Sequence, residues 1–293
     1  ATTIAGTLGP GPSLIPIHIT LASERGTEET FDMEMVNDRL FTPTLAYLSI
    51  LSTLNSYERQ NGVASYSVRG SAVIKGHGSV DFENLFSGDQ PSLGAAAYVV
   101  GPINVLLRNA FEDVELERLD LEIEASEEPR AATLERVWVD GRRTTPGATV
   151  ELKMLLRTYR GEEITRTLPV EIPARARGTV SIMVADAMRL SQWEARELQI
   201  GPLQARGLPQ MIRVLNNTRK HNRLYVRLLG RDNGAVVDGE SLSSLPSSVM
   251  AVLESDRNGG SFSPLRSAVL GEWDIATEHV VTGTRTLTLA IEE

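Results

Sequence analysis

Apolar and polar residues alternate with a period of two along the first part of the chain, which is typical of β-strands. The apolar positions share one face of each predicted strand: Ile15, Ile17, Ile19 and Leu21 in the first, and Phe31, Met33 and Met35 in the second. Alternation returns at residues 63–74 and 113–125, and the last segment has an acidic exterior formed by Asp120, Glu122 and Glu124. Together these segments predict an antiparallel sheet.

Two apolar segments between these strands have the period of a helix. The first begins at Thr42-Pro43, an N-cap residue followed by a proline suited to the first helical position, and ends at Asn61-Gly62. The second covers residues 92–109, and Gly101-Pro102 predicts a bend or an interruption within it. The sequence therefore predicts that residues 1–128 form an α+β domain in which two helices cover the sheet.

The pattern changes after the polar segment 126–129, where short strands separated by turn residues begin. Residues 129–200 have the strand spacing of an immunoglobulin-like β-sandwich. Residues 201–293 predict a helix near 208–221 and a C-terminal β region, which either completes the preceding domain or stands alone. The fold class that follows is mainly β, of the α+β kind, with helices inserted into the sandwich region.

Composition excludes several classes of protein. The chain has 293 residues, 29 Lys and Arg against 38 Asp and Glu, a net charge of −9 and no cysteine. The negative charge argues against nucleic acid as a partner, and the missing cysteines exclude disulfides and thiolate sites. No apolar stretch approaches the roughly 20 residues of a membrane-spanning helix. Because Ala1 is not preceded by an initiator Met, we expect a processed or excised N-terminus.

No residue pattern has the spacing of a catalytic or metal-binding motif. His77, Ser79 and Asp81 have the residue types of a catalytic triad, but alternate residues of one strand lie in a row and do not converge. The four histidines are scattered, and segments 232–234 and 256–259 carry only fragments of a calcium loop. The sequence therefore identifies no catalytic residue, no metal ligand and no cofactor.

Two charged segments are complementary in sign. Residues 112–128 are acidic, whereas residues 213–231 contain Arg219, Lys220, Arg223 and Arg227. Two interpretations follow: a pair of solvated surfaces, which is the more common outcome, or patches that meet across an interface between copies of the chain.

Four phrases of the chain resemble a known bacterial family. They are Phe41-Thr42-Pro43-Thr44-Leu45, Leu85-Phe86-Ser87-Gly88-Asp89-Gln90, Ala132-Thr133-Leu134-Glu135-Arg136-Val137-Trp138 and Asn222-Arg223-Leu224-Tyr225-Val226-Arg227-Leu228. The sequence resembles the region downstream of the peptidase domain in large exported proteins related to the sporulation factor four-B serine peptidases. The Gly-Met-Ser-Gly-Ser-Pro phrase that carries that family's nucleophile does not occur in this sequence. The resemblance implies an exported, periplasmic or extracellular chain with a non-catalytic role, released from a larger precursor.

These observations favour a structural or assembly protein that forms homo-oligomers through sheet edges and the apolar first helix. A binding module for an envelope polysaccharide or protein is the alternative. The polysaccharide form requires exposed aromatic residues such as Trp138, Trp193 or Trp273. A hydrolase that uses paired carboxylates is a third interpretation, although no pair is distinguished by its spacing.

Overall fold

The computed structural model of the chain describes residues 11–24, 26–57, 64–88, 90–197, 205–230, 234–237, 240–242, 249, 262–265 and 268–292. The first part contains β1 (Leu14–Ser23), β2 (Glu28–Val36), α1 (Phe41–Tyr57), β3 (Ala64–Ile74), β4 (Gly78–Gly88), α2 (Pro91–Leu107) and β5 (Leu116–Ser126). Its five strands form one sheet in the order β2-β1-β5-β3-β4. Both predicted helices are present, and they pack against each other.

The sheet is mixed, and the prediction of an antiparallel sheet was wrong for one pair. β1 and β5 are parallel, with Ile19 opposite Leu121, while the other three pairs are antiparallel. The physical reason is that each helix returns the chain across the sheet. Because α1 joins β2 to β3, these two strands run in the same direction, and because α2 joins β4 to β5, so do those two. Alternation within a strand does not encode this direction.

The start of α1 also differs from the prediction. The side chain of Asp38, rather than that of Thr42, accepts the first free backbone groups: its Oδ1 accepts from Leu40 N at 2.8 Å and Phe41 N at 2.9 Å. Thr42 is fully buried, and its hydroxyl donates to the Val36 carbonyl at 2.8 Å. α2 runs from Pro91 to Leu107 without the predicted interruption at Pro102.

The second part contains β6 (Ala131–Trp138), β7 (Arg143–Thr144), β8 (Thr149–Thr158), β9 (Glu163–Glu171), β10 (Thr179–Ala185), α3 (Ala187–Glu197), α4 (Leu208–Asn216), β11 (Arg223–Gly230), β12 (Gly234–Val237), β13 (Glu240–Leu242), β14 (Phe262–Leu265), β15 (Ala268–Ala276), β16 (Val280–Thr282) and β17 (Thr284–Ile291). Its sheets have the orders β16-β6-β8-β9, β15-β11-β10-β17-β7 and β13-β12-β14. The chain is therefore mainly β and of the α+β class, as the sequence predicts.

The hydrophobic core is divided. One cluster joins the five-stranded sheet to α1 and α2, and a second lies between the sheets that contain β8 and β10. α4 follows the predicted sandwich region in sequence, yet Leu208, Met211 and Leu215 bury their side chains in the first cluster. Strands β11 and β17, from residues beyond 200, pair with β10 on either side. None of the described helices has the length and apolarity of a transmembrane helix.

Candidate functional site

The two edges of the five-stranded sheet, at β4 and at β2, differ in how far their outward backbone groups have hydrogen-bond partners. At the β4 edge these groups have partners. Asn216 of α4 lies along this edge: its Nδ2 donates to Ser79 O at 3.0 Å and its Oδ1 accepts from Asp81 N at 2.8 Å. The Tyr98 hydroxyl accepts from Glu83 N at 3.3 Å. Side chains therefore occupy the outward backbone groups that another strand would need.

A histidine contacts the next residues along the β4 edge. The His221 ring hydrogen-bonds to the Leu85 backbone and packs edge-on against Phe86 with ring centroids 5.1 Å apart. The His221 backbone N donates to the buried Asn84 side chain at 2.7 Å. The β4 edge is thereby closed by α2, α4 and the segment that leads into β11.

At the opposite edge, β2, no other described residue covers the outward backbone groups of residues 28–34. Asn37 N donates to Ser13 O at 2.8 Å and Ser23 N donates to Thr27 O at 2.9 Å, which fixes the phase of the β1–β2 ladder. Because bonded positions alternate in an antiparallel pair, the backbone N–H and C=O groups of residues 29, 31, 33 and 35 face β1. Those of residues 28, 30, 32 and 34 face outward, and no other described residue hydrogen-bonds to them. The edge ends at Val36, whose carbonyl is taken by Thr42.

The side chains along this edge separate by charge. Glu28, Thr30, Asp32 and Glu34 are exposed on the face away from the helices, whereas Phe31 and Met33 are half-buried against the first core. Asp32 Oδ1 lies 2.6 Å from His18 Nδ1. The open edge is thus acidic on one face, and on the other it is apolar at Phe31 and Met33, with the exposed Glu29 before them.

The acidic character extends across the uncovered face of the sheet. On the face away from the helices, the acids of β2, β4 and β5 are Glu28, Asp32, Glu34, Asp81, Glu83, Asp120, Glu122 and Glu124. The bases on this face are each near a carboxylate: Arg118 Nε lies 2.8 Å from Asp120, and Arg69 lies 3.9 Å from Glu124. We refer to this surface as the acidic face.

A cavity of about 300 Å³ lies at one end of the acidic face, where β5 leads into β6. It is lined by Ala22, Ser23, Glu24, Ser65, Ser67, Leu85, Glu124, Ala125, Ser126 and Arg130. Arg130 pairs with Glu24 at 3.0 Å, and its backbone N donates to Ser65 Oγ at 3.0 Å. Hydroxyl groups and carboxylates here suit a small polar or cationic group, while the lining offers no histidine as a general base.

The triad-like residues do not converge. The Ser79 hydroxyl donates to Asp81 Oδ1 at 2.9 Å, but His77 Nε2 lies 3.7 Å from a different carboxylate, that of Glu112. In the described part of the chain no group of three or more His, Asp or Glu side chains has a metal-binding arrangement. Residues 232–233 and 256–259, which resemble calcium loops, lie outside the described residues.

Four cations of the basic segment are paired within the chain. Arg219 and Arg227 both pair with Glu194 of α3, and Arg227 also lies 3.2 Å from Glu272. Further pairs join Lys220 to Glu83 and Arg223 to Asp274. These cations have partners without a second copy, and the interface between complementary patches stays a prediction.

The tryptophans do not form an exposed platform. Trp138, Trp193 and Trp273 are all half-buried: Arg136 lies over the Trp138 ring at 5.2 Å, and the other two pack against hydrophobic clusters. Comparison of the chain with protein families, characterised proteins and solved structures finds no match. The open edge and the acidic face are therefore the features of the molecule on which a function can be proposed.

Because His221 is part of the β4 edge, we expect the stability of the chain to depend on pH. Burial lowers the pKa of this imidazole below its ordinary 6.5, although the Leu85 hydrogen bond and Asp186 oppose the effect. As the pH falls, His221 is protonated in the unfolded chain before it is protonated in the folded chain. The free energy of unfolding is therefore highest above about pH 6.5 and decreases as the pH falls below that value. We expect the free energy of unfolding, measured by urea titration, to decrease between about pH 7 and pH 5.5.

His221→Gln, which does not titrate, should flatten that dependence. The carboxylates of Glu83 and Glu135 have lowered pKa values through Lys220 and Arg157, and they respond below their ordinary 4.5, outside this window. An unchanged slope in the variant would contradict the assignment.

Proposed function

We propose that this chain is a non-catalytic assembly module that joins another polypeptide to its N-terminal sheet by strand addition at β2. The observation that supports the proposal is the contrast between the two edges. Asn216, Tyr98 and His221 occupy the outward groups of β4, whereas the outward groups of residues 28–34 have no partner among the described residues. A free row of backbone donors and acceptors is the template that strand-addition complexes use.

The wider role remains a proposal. Export and release from a larger precursor agree with the family resemblance, and assembly into homo-oligomers is the expectation from sheet edges and the apolar first helix. Self-association and capture of a different chain are both strand addition, and they differ only in the identity of the incoming strand. The half-buried tryptophans give no support to the polysaccharide alternative, and the carboxylates of the cavity, Glu24 and Glu124, are each paired with an arginine.

Thr30→Pro tests the proposal directly. Thr30 does not bond to β1, so proline removes one outward N–H and adds a ring at the edge while the β1–β2 ladder stays complete. Thr30→Val is the matched control because it keeps the N–H and the strand preference. We expect the proline variant to weaken strand addition about tenfold or more, and the valine variant to change it little.

Strand addition is measured in two ways on the whole chain. Light scattering gives the native mass over a range of concentrations, and hydrogen exchange follows the amides of residues 28–34 with three blocked peptides of about nine residues. In these peptides valine alternates with lysine, serine or glutamate. The proposal is supported if the chain self-associates or binds any of the peptides, if this association protects the edge amides from exchange, and if Thr30→Pro abolishes it. A monomer that binds none of the peptides, or binding unaffected by proline, would overturn it.

A further inference from the structure

The geometry points to a partner strand that is basic on one face and apolar on the other, and therefore to a polypeptide other than a second copy of this chain. This inference rests on strand addition at β2 as proposed above. It is carried by the charge and the burial of the side chains that an added strand would meet.

The open face of β2 offers carboxylates to such a strand. Directly opposite side chains of paired strands lie about 4.5–5.5 Å apart, so an added strand places alternate residues beside Glu28, Thr30, Asp32 and Glu34. Among the described residues no ion pair involves Glu28 or Glu34, and the Asp32 side chain is 81% exposed despite its contact with His18. Lysine or arginine at alternate positions would find a carboxylate at three of these four positions.

The other face of the same strand is apolar beyond the exposed Glu29. Phe31 and Met33 lie on the helix side of β2 and are only half-buried, because β2 is the last strand of the sheet. Valine, isoleucine or leucine at the intervening positions of an added strand would extend this layer. Beyond the end of the edge, Leu40 and Phe41 are 62% and 58% exposed and enlarge the apolar surface that the partner can reach. The fitting strand therefore alternates basic and apolar residues.

A second copy of this chain is a poor partner at this edge. Pairing β2 with β2 would set acids beside acids, since residues 28–36 contain four acidic residues and no Lys or Arg. The net charge of −9 adds long-range repulsion. In the basic segment, Arg219 and Arg223 are already paired with Glu194 and Asp274. A basic strand of another polypeptide meets these acids without that repulsion.

The three peptides described above separate these possibilities by equilibrium titration. We expect the lysine peptide to bind about tenfold more tightly than the serine peptide, the glutamate peptide to bind most weakly, and the preference to shrink as salt is raised. The combined change Glu28→Gln, Asp32→Asn and Glu34→Gln should remove the preference for lysine. The control is Glu151→Gln, Glu162→Gln and Glu171→Gln on the second part of the chain, which alters the net charge equally at three exposed positions and should preserve the preference.

Other outcomes of the peptide titration would contradict the proposal of a basic partner. Equal binding of the lysine and serine peptides, or self-association that Thr30→Pro abolishes, would overturn the basic partner and leave strand addition standing. Loss of the preference in the control triple variant would also overturn it, because net charge rather than the edge would then be responsible. If no peptide binds and the chain stays monomeric, the acids of β2 serve only to protect the edge, and both proposals fail.

Discussion

Replacement of Gly70 by alanine is expected to destabilise the chain by about 4 kcal/mol or more, enough to prevent folding of a marginally stable protein. Gly70 lies in the middle of β3 with φ +151°, and a Cβ there would press against the backbone oxygen of Asp120 and lie 2.9 Å from Leu121 Cα. Both contacts are with β5, so relief requires the central strands to separate. The yield of folded protein and the urea midpoint measure the effect.

Gly76→Ala is the matched control for this change. Gly76 also has a positive φ, +76°, but nothing lies within 4 Å of an added Cβ in the turn between β3 and β4. Only the conformational strain applies, which costs about 1 kcal/mol. If the two variants lost similar stability, the contact between β3 and β5 at Gly70 would be wrong.

Replacement of Asp186 by alanine is expected to cost about 3 kcal/mol. The Asp186 side chain is buried and accepts two backbone hydrogen bonds: Oδ1 accepts from Arg189 N and Oδ2 from Gly283 N, both at 2.7 Å. The first caps the start of α3, and the second ties that helix to the segment before β17. Alanine leaves both donors without this acceptor at a largely buried position.

Asp186→Asn distinguishes the two bonds. The amide oxygen can still accept from Arg189 N, whereas the amide nitrogen cannot accept from Gly283 N. We therefore expect about half of the loss seen with alanine, measured as the free energy of unfolding in urea. A cost below about 1 kcal/mol for alanine would contradict the double role of Asp186.

The two edges of the first sheet differ in which groups meet their backbone. At β4, three side chains from different elements supply the hydrogen bonds that a strand would otherwise make. At β2, the residues whose backbone groups face outward carry the acids of one face, and the residues between them include Phe31 and Met33 on the other face. The same sheet thus has one edge closed by its own chain and one whose backbone and side chains define the strand that would complete it.

Much of this arrangement could be predicted from the sequence. The alternation of Phe31 and Met33 with Asp32 and Glu34 identifies the strand, its apolar face and its acidic face. What it does not identify is the strand's place in the sheet, because an edge strand and an interior strand that is buried on one face have the same period. Asn216 and Tyr98 were missed for a related reason, since one polar or aromatic residue at a helical position carries no sign of the edge it covers.

The sequence alone determined the mainly β class, both helices over the first sheet and the acidic exterior of β5, because period, turn residues and charge are local properties. Only the tertiary structure decided that β1 and β5 run parallel, that α4 packs in the first core, and that no other described residue pairs with the outer edge of β2. These features depend on which distant segments meet. That choice is made by burial and hydrogen bonding summed over the whole chain rather than by any one stretch of residues.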